Sequence, residues 1–176
     1  MEPQALLCCD ALALTMAAAA MDVRQHRIPN LLTYSGMLTG LVLRPAALGW
    51  RGLAGAFAGL LAGGGVMLLF YLVRATAAGD VKLMAAVGSL LGARAALLVL
   101  IATAICGGVM ALSYAICRRR LGTTVRNVGS LLQFHGAHGF QVHPSLNLDN
   151  PQGLRMPYGL AIAAGTLYAC VATGWR

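Results

Sequence analysis

The sequence predicts an all-α, polytopic membrane protein of about six transmembrane helices, and three observations carry that prediction. Hydrophobic residues make up 59% of the 176-residue chain and charged residues only 10%, where a soluble domain needs about a quarter. Five apolar runs, at about residues 5–21, 31–50, 52–73, 95–117 and 157–175, match the ~20 residues that cross about 30 Å of hydrocarbon. The thirteen Lys and Arg fall mostly between these runs, which is a topology signal. The net charge of +8 therefore points to the lipid bilayer as partner and not to nucleic acid.

In chain order, Met1-Glu2-Pro3-Gln4 lacks the positive start of a cleavable signal peptide. The first run is instead followed by Arg24 and Arg27, which predicts a retained helix with its N-terminus outside. Arg44 and Pro45 are expected to mark the outer end of the second run. The third carries Gly52, Gly55, Gly59 and Gly63 at spacings of three and four, which lets helix backbones approach closely in lipid. No Gly-Lys-Ser/Thr follows, so this is packing and not a phosphate loop.

A sixth segment, about residues 75–93, is weaker because it contains Asp80 and Lys82. If it crosses, nine basic residues face the cytoplasm (Arg24, Arg27, Arg74, Lys82, Arg118, Arg119, Arg120, Arg126 and Arg155). Only four, Arg44, Arg51, Arg94 and Arg176, then face outward. If it does not cross, the Arg118–Arg120 cluster is pushed outside, against the positive-inside rule. Six helices with both termini outside is the expected topology, in a single domain over residues 1–176. Residues 118–156 form a polar cytoplasmic loop. Within it Leu121, Val125, Val128, Leu131 and Leu132 recur at helical spacing beside the arginines, predicting an amphipathic helix in the headgroup layer. Nothing in the sequence points to a particular oligomeric state.

The five cysteines include no C-x-x-C pair and lie mostly in apolar runs, where they act as small hydrophobes. Carboxylate chemistry must be chosen from Glu2, Asp10, Asp22, Asp80 and Asp149. Asp22 closes the first run and Asp80 opens the sixth segment, with two spans between them, so both lie at the same membrane face. Asp10 is twelve residues before Asp22, about 18 Å away at helical rise, and is set aside. Carboxylates at membrane depth are functional candidates by default. Two that converge in a poorly solvated site cannot easily both ionise and share a proton, as in aspartic proteases. The bland alternatives are a helix cap for Asp80 and an interfacial pair with Arg24 for Asp22.

The words around these aspartates are specific. Asp22-Val-Arg-Gln-His-Arg27-Ile-Pro-Asn30-Leu-Leu-Thr33 resembles the first signature of type IV prepilin peptidases, and Gly79-Asp80-Val-Lys82-Leu-Met-Ala-Ala-Val-Gly88 resembles their second, the G-x-G-D segment. Met156-Pro-Tyr158-Gly159 resembles the Pro-Tyr-Gly stretch that opens their last helix. The resemblance implies a six-helix membrane aspartic peptidase without cofactor or metal. Asp22 and Asp80 would be its catalytic pair, acting at the cytoplasmic face of the bacterial inner membrane. Its implied partners are prepilins and pseudopilins with short basic leaders. Two departures stand out: Ala77 replaces the first Gly of G-x-G-D, and no N-terminal region with Cys pairs precedes the first helix. The second departure suggests the short, peptidase-only form of tight-adherence (Flp) pilus systems, without methyltransferase activity.

Supporting or substrate-binding roles fall to Gly79, Lys82, Arg27, Asn30 and Tyr158. Lys82 and Arg27 would tune the pair or snorkel to the headgroups, and Pro29 and Pro157 suit helix starts. Two other functions stay open. His135, His138 and His143, with Asp149 nearby, form H-x-x-H-x4-H and could hold a catalytic metal. Alternatively, Asp22 and Asp80 could relay protons in a transporter.

Overall fold

A computed structural model describes residues 3–146 and 156–173. Glu2, Asp149, Arg155 and Arg176, which entered the expectations above, lie outside the described residues. The elements are α1 (Pro3–Gln25), α2 (Asn30–Leu72), α3 (Ala78–Leu91), α4 (Ala93–Cys117), α5 (Leu121–His138) and α6 (Tyr158–Ala172). The fold is all-α, as the sequence predicts.

By length and composition α1, α2 and α4 can each cross a membrane, and α6 is a shorter apolar helix. Large side chains face outward where a soluble bundle would hide them. On α4, Ile101, Ile105, Val109, Leu112 and Ile116 are all more than half exposed and recur every three or four residues, an apolar stripe suited to lipid tails. The protein is membrane-embedded.

At 43 residues, α2 would run about 65 Å if straight, twice the hydrocarbon thickness. Gly49 divides it, with φ 63° and ψ −148°, a backbone conformation essentially reserved for glycine. The packing partners reveal a full reversal there. Gly36 lies against Ala86, and Gly40 against Ser89 and Leu90. Past the break, Gly59 lies against Gly88 and Gly63 against Met84. The first arm therefore runs with α3 and the second against it, so the arms form a hairpin that clasps α3. The sequence placed the outer end of this span at Arg44 and Pro45. The helix instead continues through Pro45 and turns at Gly49, the residue whose missing Cβ permits it.

The clasp depends on the glycines. A Cβ on Gly59 would strike the Gly88 carbonyl, and one on Gly63 would press the Met84 carbonyl oxygen. Gly52 and Gly55 serve the hairpin itself, each lying against Arg44 of the opposite arm. With no water to expel between helices in lipid, such backbone contact is the main source of packing energy. Leu83 through Leu90 of α3 are all buried as a result. At 14 residues α3 is shorter than the 75–93 segment foreseen; Gly92, with φ 85°, ends it and starts α4. It nonetheless runs from the Asp80 end to the Arg44 end, where Arg44 Nη1 donates to the Leu90 carbonyl at 2.9 Å.

The other helices complete the bundle. α6 runs antiparallel to α4, with Tyr158 against Gly107 and Gly165 against Thr103 and Val99. It is also antiparallel to α1, with Gly159 against Asp22 and Cys170 reaching the Cys8 carbonyl. Six passes thus alternate in direction. α5 lies outside the bundle with no buried residue and touches only α4 among the described elements. Its exposed Val125, Val128 and Leu132 form the apolar row foreseen from the sequence.

Candidate active site

Asp22 lies in the last turn of α1 and Asp80 in the first turn of α3. Both are buried, at 8% and 6% exposure, the only carboxylates among the described residues to be so. They occupy the same end of the bundle. Tyr158, half-buried at the start of α6, adjoins Gly159, whose N–H bonds Asp22.

Each carboxylate is held by hydrogen bonds through Oδ2. The Asp80 Oδ2 accepts from Thr76 Oγ1 at 3.0 Å and from the Ala77 N–H at 3.3 Å. The Asp22 Oδ2 accepts from the Gly159 N–H at 2.8 Å. That N–H is one of the free donors of the first turn of α6, where the helix dipole also favours negative charge. Among the described residues neither Oδ1 has a protein partner, and neither is a sealed, unpartnered atom. One oxygen of each carboxylate anchors it, and the other stays available.

Both bland readings can be weighed against this geometry. Asp80 does serve a helix start, since its bond to the Ala77 N–H is a capping interaction from the third helical position. Capping does not explain the bond to the buried Thr76 or the burial of Asp22 at the same end of the bundle. No ion pair joins Asp22 to Arg24 among the described residues; its partner is the distant backbone of Gly159.

Ala77 is extended, with φ −86° and ψ 153°. This position needs no left-handed conformation, so alanine replaces glycine without backbone strain. Gly79 packs closely on Ile28: a Cβ there would lie 3.2 Å from the Ile28 Cβ, so Ile28 would have to give by a few tenths of an ångström. Lys82 does not turn to the carboxylates. Its Nζ donates to Asn30 Oδ1 at 2.8 Å and stands over the Tyr34 ring at 5.0 Å. Lys82 and Asn30 thus tie α3 to the start of α2 at the rim, and Arg27 is exposed nearby in sequence. Pro29 and Pro157 sit one residue before α2 and α6.

Sequence reasoning missed Thr76 and Gly159. A threonine four residues before an aspartate carries little signal. Gly159 stood inside a recognised stretch, and its reason is geometric: a Cβ would lie 3.1 Å from Asp22 Oδ2 and 3.4 Å from the Ala19 Cα.

Among the described residues no group of three His, Cys, Asp or Glu is placed to hold an ion. His135, His138 and His143 instead gather around the Phe134 ring, with centroids 5.7, 4.7 and 4.7 Å away. The Nδ1 atoms of His135 and His138 lie 2.9 and 3.2 Å from the carbonyl oxygens of Leu131 and Phe134 in their own helix. The Nδ1 of His143 accepts the Ser145 and Leu146 N–H groups, so all three nitrogens are engaged locally. Asp149, the further ligand considered, lies outside the described residues.

No curated protein and no solved structure matches the chain. A family model does, that of the type IV leader peptidase family, over residues 10–112. The matched stretch holds both buried aspartates, the α2 hairpin and α3, and it covers more than half of the 176 residues: the protein belongs to the type IV leader peptidase family.

Proposed function

We propose that the protein is an aspartic endopeptidase that removes the short basic leader of type IV or Flp prepilins and pseudopilins, with Asp22 and Asp80 activating the attacking water. The observation that carries this reading is the burial of these two carboxylates at the same end of the bundle, each anchored through one oxygen and open at the other. In such a site one carboxylate takes a proton from water as its oxygen attacks the peptide carbonyl carbon. The other, protonated, hydrogen-bonds the carbonyl oxygen as charge develops there. Collapse of the tetrahedral intermediate breaks the C–N bond, and the leaving nitrogen takes up a proton from the pair. The roles belong to the dyad as a unit.

The membrane face follows from charge. α1, α2 and α4 finish at the aspartate end, and each is followed by a basic residue in the left-handed region: His26, Arg74 and Arg119. With Arg24, Arg27, Arg118 and Arg120 they make this the basic end, which the positive-inside rule assigns to the cytoplasm of a bacterial inner membrane. α5 then lies at the same surface, where its Arg126 and the preceding Arg118–Arg120 suit anionic headgroups. The peptidase domain proposed here is membrane-embedded.

A proton-relay transporter would place its carboxylates near the midplane, whereas both lie at one end of the bundle. The deciding experiment is co-expression with a Flp-type prepilin, following leader removal by gel shift. Asp22→Asn and Asp80→Asn should each abolish processing. Processing that survives Asp80→Asn would sink the reading, as would proton flux in liposomes that requires both aspartates without proteolysis.

A further inference from the structure

At the far end of the bundle from the aspartates lies a cavity of about 460 Å³ that the peptidase chemistry does not use. Gln4 and Leu7 of α1 line it; Gln4 is eighteen residues from Asp22, about 27 Å along the helix. Its charged walls are Arg44 of the α2 hairpin and Arg94 of α4, and among the described residues no carboxylate lines it. The remaining walls include Leu48, Leu90 and Leu98.

Two features distinguish Arg44 from a surface arginine. Its guanidinium is threaded between Gly55 and Gly92: a side chain on Gly92 would clash with it, and one on Gly55 would lie 3.0 Å from its Nε. Of its five N–H donors, Nη1 is committed to the Leu90 carbonyl; Nε is sealed against Gly55 with no acceptor among the described residues, and Nη2, which is not sealed, has no partner there either and is the donor left for the cavity. Arg94 is exposed at the rim, without an ion pair among the described residues. The cavity therefore presents two positive charges with unspent donors beside a leucine wall.

The depth of the site selects its ligand. Trp50, 79% exposed, and Arg51 stand at the hairpin tip, the pairing of aromatic and basic residues that marks the headgroup level. We propose that the cavity binds an anionic membrane phospholipid, with its phosphodiester between Arg44 and Arg94 and an acyl chain along Leu48 and Leu98. Free phosphate would satisfy the arginines but leave the apolar wall empty. A diacylglycerol would do the reverse.

The test uses the full-length protein in detergent micelles, with bound lipid followed by native mass spectrometry and the melting temperature measured alongside. Added dioleoyl-phosphatidylglycerol should give a retained one-lipid adduct and raise the melting temperature. Arg94→Gln, which removes no internal bond, should weaken the adduct about fivefold, the worth of one basic residue against an anionic lipid. It should also lose most of the thermal shift. Arg44→Gln should weaken binding as well; because it also uncaps α3, the Arg94 variant is the decisive one. Dioleoylglycerol, which lacks the phosphate, should give no shift, and millimolar inorganic phosphate should not displace the lipid. An adduct unaffected by Arg94→Gln, equal retention of dioleoylglycerol, or displacement by inorganic phosphate would each overturn the assignment.

Discussion

The Gly159 N–H donates to Asp22 Oδ2 at 2.8 Å across 137 residues of sequence, joining the last helix to the end of the first. The bond fixes one carboxylate of the proposed pair through a backbone donor that has no rotamer to lose.

Gly159→Ala tests that relationship directly. The new Cβ would sit 3.1 Å from the carboxylate oxygen and 3.2 Å from the Asp22 Cβ, so Asp22 must move. Displacement of a reacting group by a fraction of an ångström to an ångström lowers rates by up to about 10². Prepilin processing should fall by roughly that factor, while Gly108→Ala, with open space at its Cβ, should process normally.

Asp22→Asn and Asp80→Asn should each abolish leader removal, by at least about 10²-fold, the contribution of a positioned acid or base. Both variants keep the shape of the side chain and should retain the helical circular-dichroism signal of the parent. Loss of helicity alongside activity would assign these residues to folding instead.

Thr76 acts on Asp80 as a positioning residue. Thr76→Val removes the hydroxyl that donates to Oδ2, a bond to a charged group worth about 1.5–3 kcal/mol. Activity should drop about tenfold or more on that scale. Thr76→Ser, which keeps the hydroxyl, should restore most of it, whereas a purely steric role for Thr76 would leave serine no better than valine.

Metal chelation should leave processing unchanged, and so should His135→Ala, because the histidines of α5 and the following loop surround Phe134 rather than a common point. Chelator-sensitive cleavage would reopen the metal reading.

The hairpin clasp predicts a stability effect separate from catalysis. Gly59→Ala drives a methyl into the Gly88 carbonyl and should lower stability by about 1–3 kcal/mol, as overpacking does. Gly65→Ala, with nothing within 4 Å of its Cβ, should be neutral by the same melting measurement in detergent.

Much of the fold was legible because the bilayer imposes length and polarity rules that residues obey one at a time. The runs around Ala11, Ile101 and Ile162 announced their helices, and the rows Gly52–Gly63 and Leu121–Leu132 announced a packing face and a surface helix. The reversal was misplaced at Pro45 because proline is the usual breaker, while the residue that turns the chain is Gly49, ordinary in a sequence with 22 glycines. At the site, Asp22 and Asp80 could be picked out since five acids leave little choice. Thr76 and Gly159 could not, because their roles depend on which helix ends meet. The partners of Lys82 were hidden for a similar reason, since its contacts with Asn30 and Tyr34 depend on how the start of α2 meets α3.

The clasp around α3 also bears on how that helix stays in the membrane. A 14-residue helix extends about 21 Å, short of the bilayer core, and this one opens with Asp80 and Lys82. Left alone before a translocon it would partition poorly into lipid. The two arms of α2 offer it a groove of exposed backbone at Gly36, Gly40, Gly59 and Gly63. By length and charge α3 thus needs the hairpin as its partner in the membrane, and the helix that carries half of the proposed dyad is held there by that scaffold.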